Sequence, residues 1–447
     1  MNSKTKKNYS AATVIILLLL SSSSCSKIAN EPYIYDEGSQ EITTFRYGIE
    51  TDTLTNIVYQ RDGIPLLKVE LQTPVVVAEA SKPEGWGYFQ FPRIYRSVRD
   101  QLVATWYYCL DDPVDYGKET PFMLSSDKGK TWHSSEQPIP PIGLLLPESE
   151  NYLSIREPPS YKASELQLPQ PIASDTISFN RSLVFYRENE LPPILRGVYL
   201  NRWDKNGVWS EMQAGMDDPW AVRYSDNEWF PVALLGGDMK LLPDKSIVFG
   251  IYGIFHEQET GGVEPGGISF YRSTDDGLNW KIRGKIAYNY DPAVDPNGSK
   301  RKTFCFTEPA FEILSDGTFF CVMRTDDMFG SAPLYLSRST DQGVTWSLPK
   351  AFTPNGVLPR LLQLENGVLV LSSGRPGVQI RFSFDGKGEK WTDSFEMLPY
   401  GDTCGYTELI ATGPDSFLVI YSDFKYLNQA NEIRKAIKVR EIKVTKK

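Results

Sequence analysis

Short apolar runs, alternating or continuous and bounded by turn-forming residues, recur along most of this chain. Ile268 and Phe270, Leu334 and Leu336, and Val378, Ile380 and Phe382 follow the two-residue period of a strand with one buried face. Gly367-Val368-Leu369-Val370-Leu371-Ser372 and Ser416-Phe417-Leu418-Val419-Ile420-Tyr421 are continuous β-rich runs closed off by turn formers. No apolar period of three to four residues is sustained, so the pattern predicts an all-β chain.

Several of these runs lead into one repeated tip. Ser125-Ser126-Asp127-Lys128-Gly129-Lys130-Thr131-Trp132 returns from Ser273 to Trp280 and again from Ser339 to Trp346, which is S-x-D-x-G-x-T/N-W three times. A stretched fourth copy runs from Ser383 to Trp391. Asp and Ser can accept hydrogen bonds from amides two to four residues on, and Gly permits the positive φ of a tight turn. Each copy therefore predicts a hairpin tip tied by Asp127, Asp275, Asp341 or Asp385, with the Trp packed beneath it. Turn chemistry explains every position, so these residues carry no reaction of their own.

The copies begin at residues 125, 273, 339 and 383. A four-stranded propeller blade takes about 40–50 residues, so the wide first interval hides blades without the motif. The spacing predicts a six-bladed β-propeller over residues 85–447, with blades near 85–135, 150–230, 231–282, 300–348, 357–393 and 403–446. A strand from the segment 25–84 would close the last blade and protect the sheet edges. The Pro-rich stretch 137–171 reads as a long loop. Aromatic content of 13%, with 34 glycines and 31 prolines, fits this picture.

The N-terminus carries a different message. Lys4, Lys6 and Lys7 precede an apolar run from Val14 to Leu20, then four serines, then Cys25. The run is too short to span a bilayer, and a Cys after small residues is what a lipid-modifying peptidase needs. Residues 1–24 therefore read as a bacterial lipoprotein signal peptide and Cys25 as the lipidated residue. The protein is expected to be exported and lipid-anchored at the outer membrane, on its periplasmic or outer face. Removal of the three lysines takes the formal charge from −9 to −12. So acidic a body disfavours nucleic acid, and an anionic ligand would need a local cluster of cations.

Elimination narrows the chemistry. The two histidines, His133 and His256, sit in no paired metal-ligand spacing, and Cys109, Cys305, Cys321 and Cys404 form no C-x-x-C. Neither a resident metal nor another cofactor is expected. Phosphate-loop, dinucleotide and G-x-S-x-G patterns are missing too. Asp, Glu, Tyr and Arg remain.

In that set the chain resembles the exo-sialidase (neuraminidase) family of six-bladed propellers. Phe91-Pro92-Arg93-Ile94-Tyr95 is similar to the family's aromatic-Arg-Ile-Pro, with the proline on the other side of the Arg-Ile core. Asp111, Asp112 and Asp115 precede the first tip where the family keeps its acid/base Asp; Asp115 fits best and Asp112 is the rival. Thr307-Glu308-Pro309-Ala310-Phe311-Glu312-Ile313-Leu314-Ser315-Asp316-Gly317, followed by Arg324, resembles the family's Glu-x-x-x-Glu-Leu-x-Asp-Gly hairpin ending in an Arg. Arg375 stands before Ser383 as the family's third arginine does, and Gly405-Tyr406-Thr407-Glu408-Leu409 is similar to its Tyr-Ser-x-Leu.

The resemblance implies a retaining glycoside hydrolase that removes terminal sialic acid from glycoproteins or glycolipids. Arg93, Arg324 and Arg375 would hold the sugar carboxylate, Glu308 would deprotonate the nucleophile Tyr406, and Asp115 would serve as acid and base. Guanidinium groups suit a carboxylate through bidentate charge-assisted bonds, and a neutral phenol avoids repulsion at the adjacent anomeric carbon. Two alternatives keep the same fold: a sialoglycan-binding lipoprotein without turnover, and a glycosidase for a related nonulosonic acid. A two-acid glycosidase acting on plant polysaccharide would give no reason for three matched arginines.

Overall fold

The computed structural model describes residues 39–42, 55–61, 64–110, 120–139, 141–156, 160–177, 181–226, 228–230, 235–325 and 332–447. The leader 1–24 and Cys25 lie outside them. Tyr33–Lys447 forms one compact unit. Among the described residues the regular structure is strand, with only three-residue 3₁₀ turns beside it.

The tips behave as turn chemistry dictates. At the first, Ser125 Oγ donates to Asp127 and accepts from Gly129 N at 2.9 Å, Thr131 N donates to Asp127 at 2.9 Å, and Trp132 Nε1 donates to Gly129 O at 3.0 Å. The same bonds recur around Asp275 and Asp341. In the stretched copy Lys387 N and Lys390 N both donate to Asp385. A further tip lies in the wide first interval: Asp204 accepts from Asn206 N and Val208 N at 2.8 Å each, between the cross-strand pair Trp203 and Trp209.

These hairpins build a succession of antiparallel sheets. The first holds Tyr88–Arg96, Leu102–Tyr108 and Phe122–Ser125, and the next Leu144–Leu146, Asn151–Ile155, Val198–Trp203 and Trp209–Asp217. A parallel contact joins Trp209–Asp217 to Asn279–Ile286, the outer strand of a sheet that begins at Leu235–Leu241. Then follow Phe306–Ile313 to Lys350–Thr353 and Val357–Gln363 to Phe395–Leu398. The last sheet combines Thr407–Gly413, Ser416–Leu427 and Ile433–Lys446 with Val75–Glu79 and Ile64–Leu71, which both pair with Ile433–Lys446.

One expectation is corrected here. The stretch 137–171 is not a plain loop, because it contains the strands Leu144–Leu146, Asn151–Ile155 and Tyr161–Lys162. The prolines fall outside these strands, while Leu146 and Leu153 are buried against Phe249 and Trp280 of the neighbouring sheet. Part of the following insertion, Ala173–Ile177 and Arg181–Arg187, pairs with Ala221–Ser225 and Phe255–His256 in a sheet of its own.

Leu183, Phe185, Val222 and Phe255 pack together within the insertion's own sheet, whereas the larger core clusters lie between sheets. Phe320, Val322, Leu369, Leu371 and Trp391 join two neighbours, and Val370, Ile380, Phe382, Val419 and Ile442 join the next pair. Leu102, Ala104 and Trp106 of the first sheet pack on Leu418, Ile420 and Val439 of the last. Burying such faces at about 25 cal/mol per Å² of apolar area is the main force holding sheet to sheet.

Candidate active site

Three inner strands share an irregularity at one end. Strand register slips between Gln90 and Arg93, between Thr307 and Ala310, and between Val357 and Arg360. At the slips Phe91, Glu308 and Leu358 take φ of 49°, 43° and 40°. A proline follows each, Pro92, Pro309 and Pro359. Proline cannot donate to a ladder, so it sits where the bulge leaves the position unpaired. Left-handed backbone costs a non-glycine residue on the order of 1–3 kcal/mol and persists where neighbours over-determine it.

At that end the bulge turns Glu308 toward two other side chains. Tyr406 Oη donates to Glu308 Oε1 at 2.5 Å, and Arg324 Nη1 donates to the same oxygen at 2.8 Å and to Tyr406 Oη at 3.1 Å. Leu358 N, freed by its own bulge, donates to Glu308 Oε2 at 2.8 Å. The Arg324 and Glu308 side chains are 14% and 12% exposed, so their bonds are partly shielded from water. Phe91 covers the phenol, with ring centroids 4.9 Å apart.

Burial pushes the Tyr406 phenol well above its ordinary value; the Glu308 charge adds to this, while Arg324 and Arg375 oppose it. Tyr406 therefore keeps its proton at neutral pH, shared in the bond to Glu308. Tyr252, whose phenol is also raised by burial and by Glu308, lies in the same electrostatic environment.

Arg375 follows the strand Leu369–Gly374, and its charge acts on the Tyr406 phenol. A Cβ on Gly374 would stand 2.1 Å from Gly405 O, so only glycine lets the Arg375 turn nest against the segment leading into Tyr406. Arg93 lies two residues beyond Phe91, exposed and paired in register with Thr105. Its charge acts on the Tyr95 phenol, and no hydrogen bond or ion pair joins it to Glu308 or Tyr406. Asp115, with Asp111 and Asp112, lies outside the described residues.

Sequence reasoning missed Tyr252, Phe91 as a cover for the phenol, and the Arg360–Glu408 ion pair at 3.0 Å, whose members are two residues beyond Leu358 and Tyr406. The repeated X-Pro of Phe91-Pro92, Glu308-Pro309 and Leu358-Pro359 was the available signal. His256 serves elsewhere, its Nε2 2.9 Å from the buried Asp218 carboxylate that also accepts from Tyr271. Among the described residues no group of three His, Cys, Asp or Glu side chains is placed to hold a metal ion, and none of the four described cysteines forms a disulfide.

No family model matches the chain, and no curated protein matches it. Solved structures do. A protein of unknown function from Dyadobacter fermentans DSM 18053 is 16% identical, with a TM-score of 0.51 over 83% of this chain and 99% of that one. The two share a fold. The chain is also similar to the Penicillium chrysogenum alpha-L-arabinanase, with 18% identity and a TM-score of 0.45 over 83% and 98% of the two chains. It is similar to the Trypanosoma rangeli sialidase as well, with 13% identity and a TM-score of 0.39 over 90% of this chain and 59% of that one. Its structural neighbours thus include glycoside hydrolases.

Proposed function

We propose that this protein is a retaining exo-sialidase built on a six-bladed β-propeller. The bonded trio of Glu308, Tyr406 and Arg324 carries the reading: a shielded phenol whose proton points at a carboxylate, beside a guanidinium. The six-bladed form is supported by the sheet-to-sheet cores, which run from the first sheet through the last and back to the second. Residues 25–84 would form a tether together with the strands that complete the last sheet. Export and a lipid at Cys25 complete the proposal.

The sugar carboxylate would be held by Arg324 and Arg375, with Arg93 reaching in from the first sheet. Tyr406 Oη attacks the anomeric carbon as its proton passes to Glu308, and the glycosidic oxygen leaves with a proton from Asp115. In the second step Asp115 takes a proton from water, the water oxygen attacks the anomeric carbon, and the phenolate regains its proton from Glu308. Two displacements retain configuration.

The test is release of free sialic acid from a sialylated glycoprotein, and of the phenol from an aryl sialoside. Wild type is expected to release both, and Tyr406→Phe neither at a comparable rate. Release from an aryl arabinofuranoside but from no sialoside would overturn the substrate assignment.

A further inference from the structure

A groove lies away from this site. It is open to solvent, has a volume of about 750 Å³ and is lined from the connections 97–101, 147–150 and 204–208 of the first two sheets, with Trp203 and Tyr152 among its lining. Those connections join first strands to second and third strands to fourth. Phe91, Glu308, Arg324 and Tyr406 sit at the other ends of the corresponding strands, so the cleft opens on the opposite face of the molecule.

We infer that this cleft is an accessory binding site for a neutral oligosaccharide. Its volume falls within the range of roughly 300–1,000 Å³ usual for ligand sites. Trp203 is held at a fixed tilt by its cross-strand partner Trp209, with centroids 5.8 Å apart, and the Arg99 guanidinium stands 6.0 Å from the Trp203 ring centroid. A pyranose ring presents a face of C–H groups, apolar and slightly positive, to the negative face of an aromatic ring, while its hydroxyls seek donors and acceptors at the edge. Rings of Trp203 and Tyr152 with Asn206 beside them supply both.

The charges argue for a neutral guest. Arg99 and Lys205 are matched by Glu150 and Asp204, Lys205 lies 3.7 Å from Glu150, and Asp204 is tied to the backbone of its turn. An anionic sugar would find no excess of cations here, in contrast to Arg324 and Arg375 on the other face. The inference goes beyond the proposed reaction and does not rest on it, because binding is read without turnover.

The experiment is frontal affinity chromatography of the full chain on immobilised lactose, an N-acetyllactosamine trimer, cellotetraose and arabinotetraose. At least one column should retard wild type and Tyr406→Phe equally, and Trp203→Ala about tenfold more weakly, with aryl sialoside turnover by Trp203→Ala unchanged. Asn206→Ala, at an exposed tip where folding is not at stake, should also lose retardation and serves if Trp203→Ala does not fold. No retardation of wild type on any column, or retardation of both variants equal to that of wild type, would overturn the inference.

Discussion

Glu308 Oε1 accepts from both Tyr406 Oη, at 2.5 Å, and Arg324 Nη1, at 2.8 Å, so one carboxylate oxygen is the meeting point of a phenol and a guanidinium drawn from different sheets. Tyr406→Phe removes the hydroxyl but keeps the ring against Phe91. Positioned proton transfer is worth roughly 10²–10⁴-fold. Turnover of an aryl sialoside should fall by at least about 100-fold while the thermal midpoint moves by only a few degrees; a loss of turnover that tracked a loss of folded protein would speak against a chemical role.

Arg324 has a separable effect. Arg324→Met removes the donor shared by Glu308 Oε1 and Tyr406 Oη, the cation proposed to hold the sugar carboxylate. A hydrogen bond to a charged group is worth about 1.5–3 kcal/mol, so KM for an anionic sugar should rise by about tenfold or more. An unchanged KM would remove Arg324 from the residues proposed to hold the carboxylate.

Much of the fold was legible because its chemistry is local. The Ser-Asp-Gly-Trp tips could be read from eight residues apiece, and their bonds need nothing from elsewhere in the chain. The sheet from Leu144 to Asp217 was less legible, since its tip at Asp204 lacks the serine and an insertion separates Asn151–Ile155 from Val198–Trp203. Glu308, Arg324 and Tyr406 were each visible singly, but their distances depend on bulges that no periodicity reveals. The Arg360–Glu408 pair was hidden because it joins inner strands of neighbouring sheets.

The tip carboxylates make stability depend on acid. Side-chain and backbone bonds from Thr131 hold Asp127 down to about 2, and those from Thr345 hold Asp341 down to about 2. A carboxylate whose folded value is depressed contributes stability that is complete above its unfolded value of about 3.9 and is lost as pH falls through the folded value. Thermal midpoints of wild type should thus hold above pH 5 and drop between about pH 4 and 2. In Asp127→Asn with Asp341→Asn the drop over that window should be shallower, and an identical slope would show that other acids set it.

Trp391 is fully buried between two sheets, with its ring 5.1 Å from that of Phe352 and its Nε1 donating to Gly388 O at 2.8 Å. Trp391→Ala empties an aromatic volume that the rigid sheets cannot collapse to fill. Such a change costs about 3–5 kcal/mol, which denaturant titration resolves easily. A cost under about 1 kcal/mol would mean that the adjoining sheets are not held by this contact.

Gly374 tests whether backbone fit governs the site. Its missing Cβ leaves room for Gly405 O, which would lie 2.1 Å from an added methyl group, and Gly405 itself has a φ of +82°. Gly374→Ala must push the Arg375 turn away from the segment that carries Tyr406, because backbone sits on both sides of the clash and no flexible side chain can yield. A shift of about 1 Å in a catalytic group can cost about 100-fold in rate even when the change is far from the chemistry. The sheet of Val357–Gln363 to Phe395–Leu398 keeps its apolar core, so far-ultraviolet circular dichroism should be unchanged while kcat falls and KM for an anionic sugar rises. Wild-type kinetics in a folded Gly374→Ala protein would show that the Arg375 turn and Tyr406 need not be held in register, and Arg375 would then lose its place among the residues that grip the carboxylate.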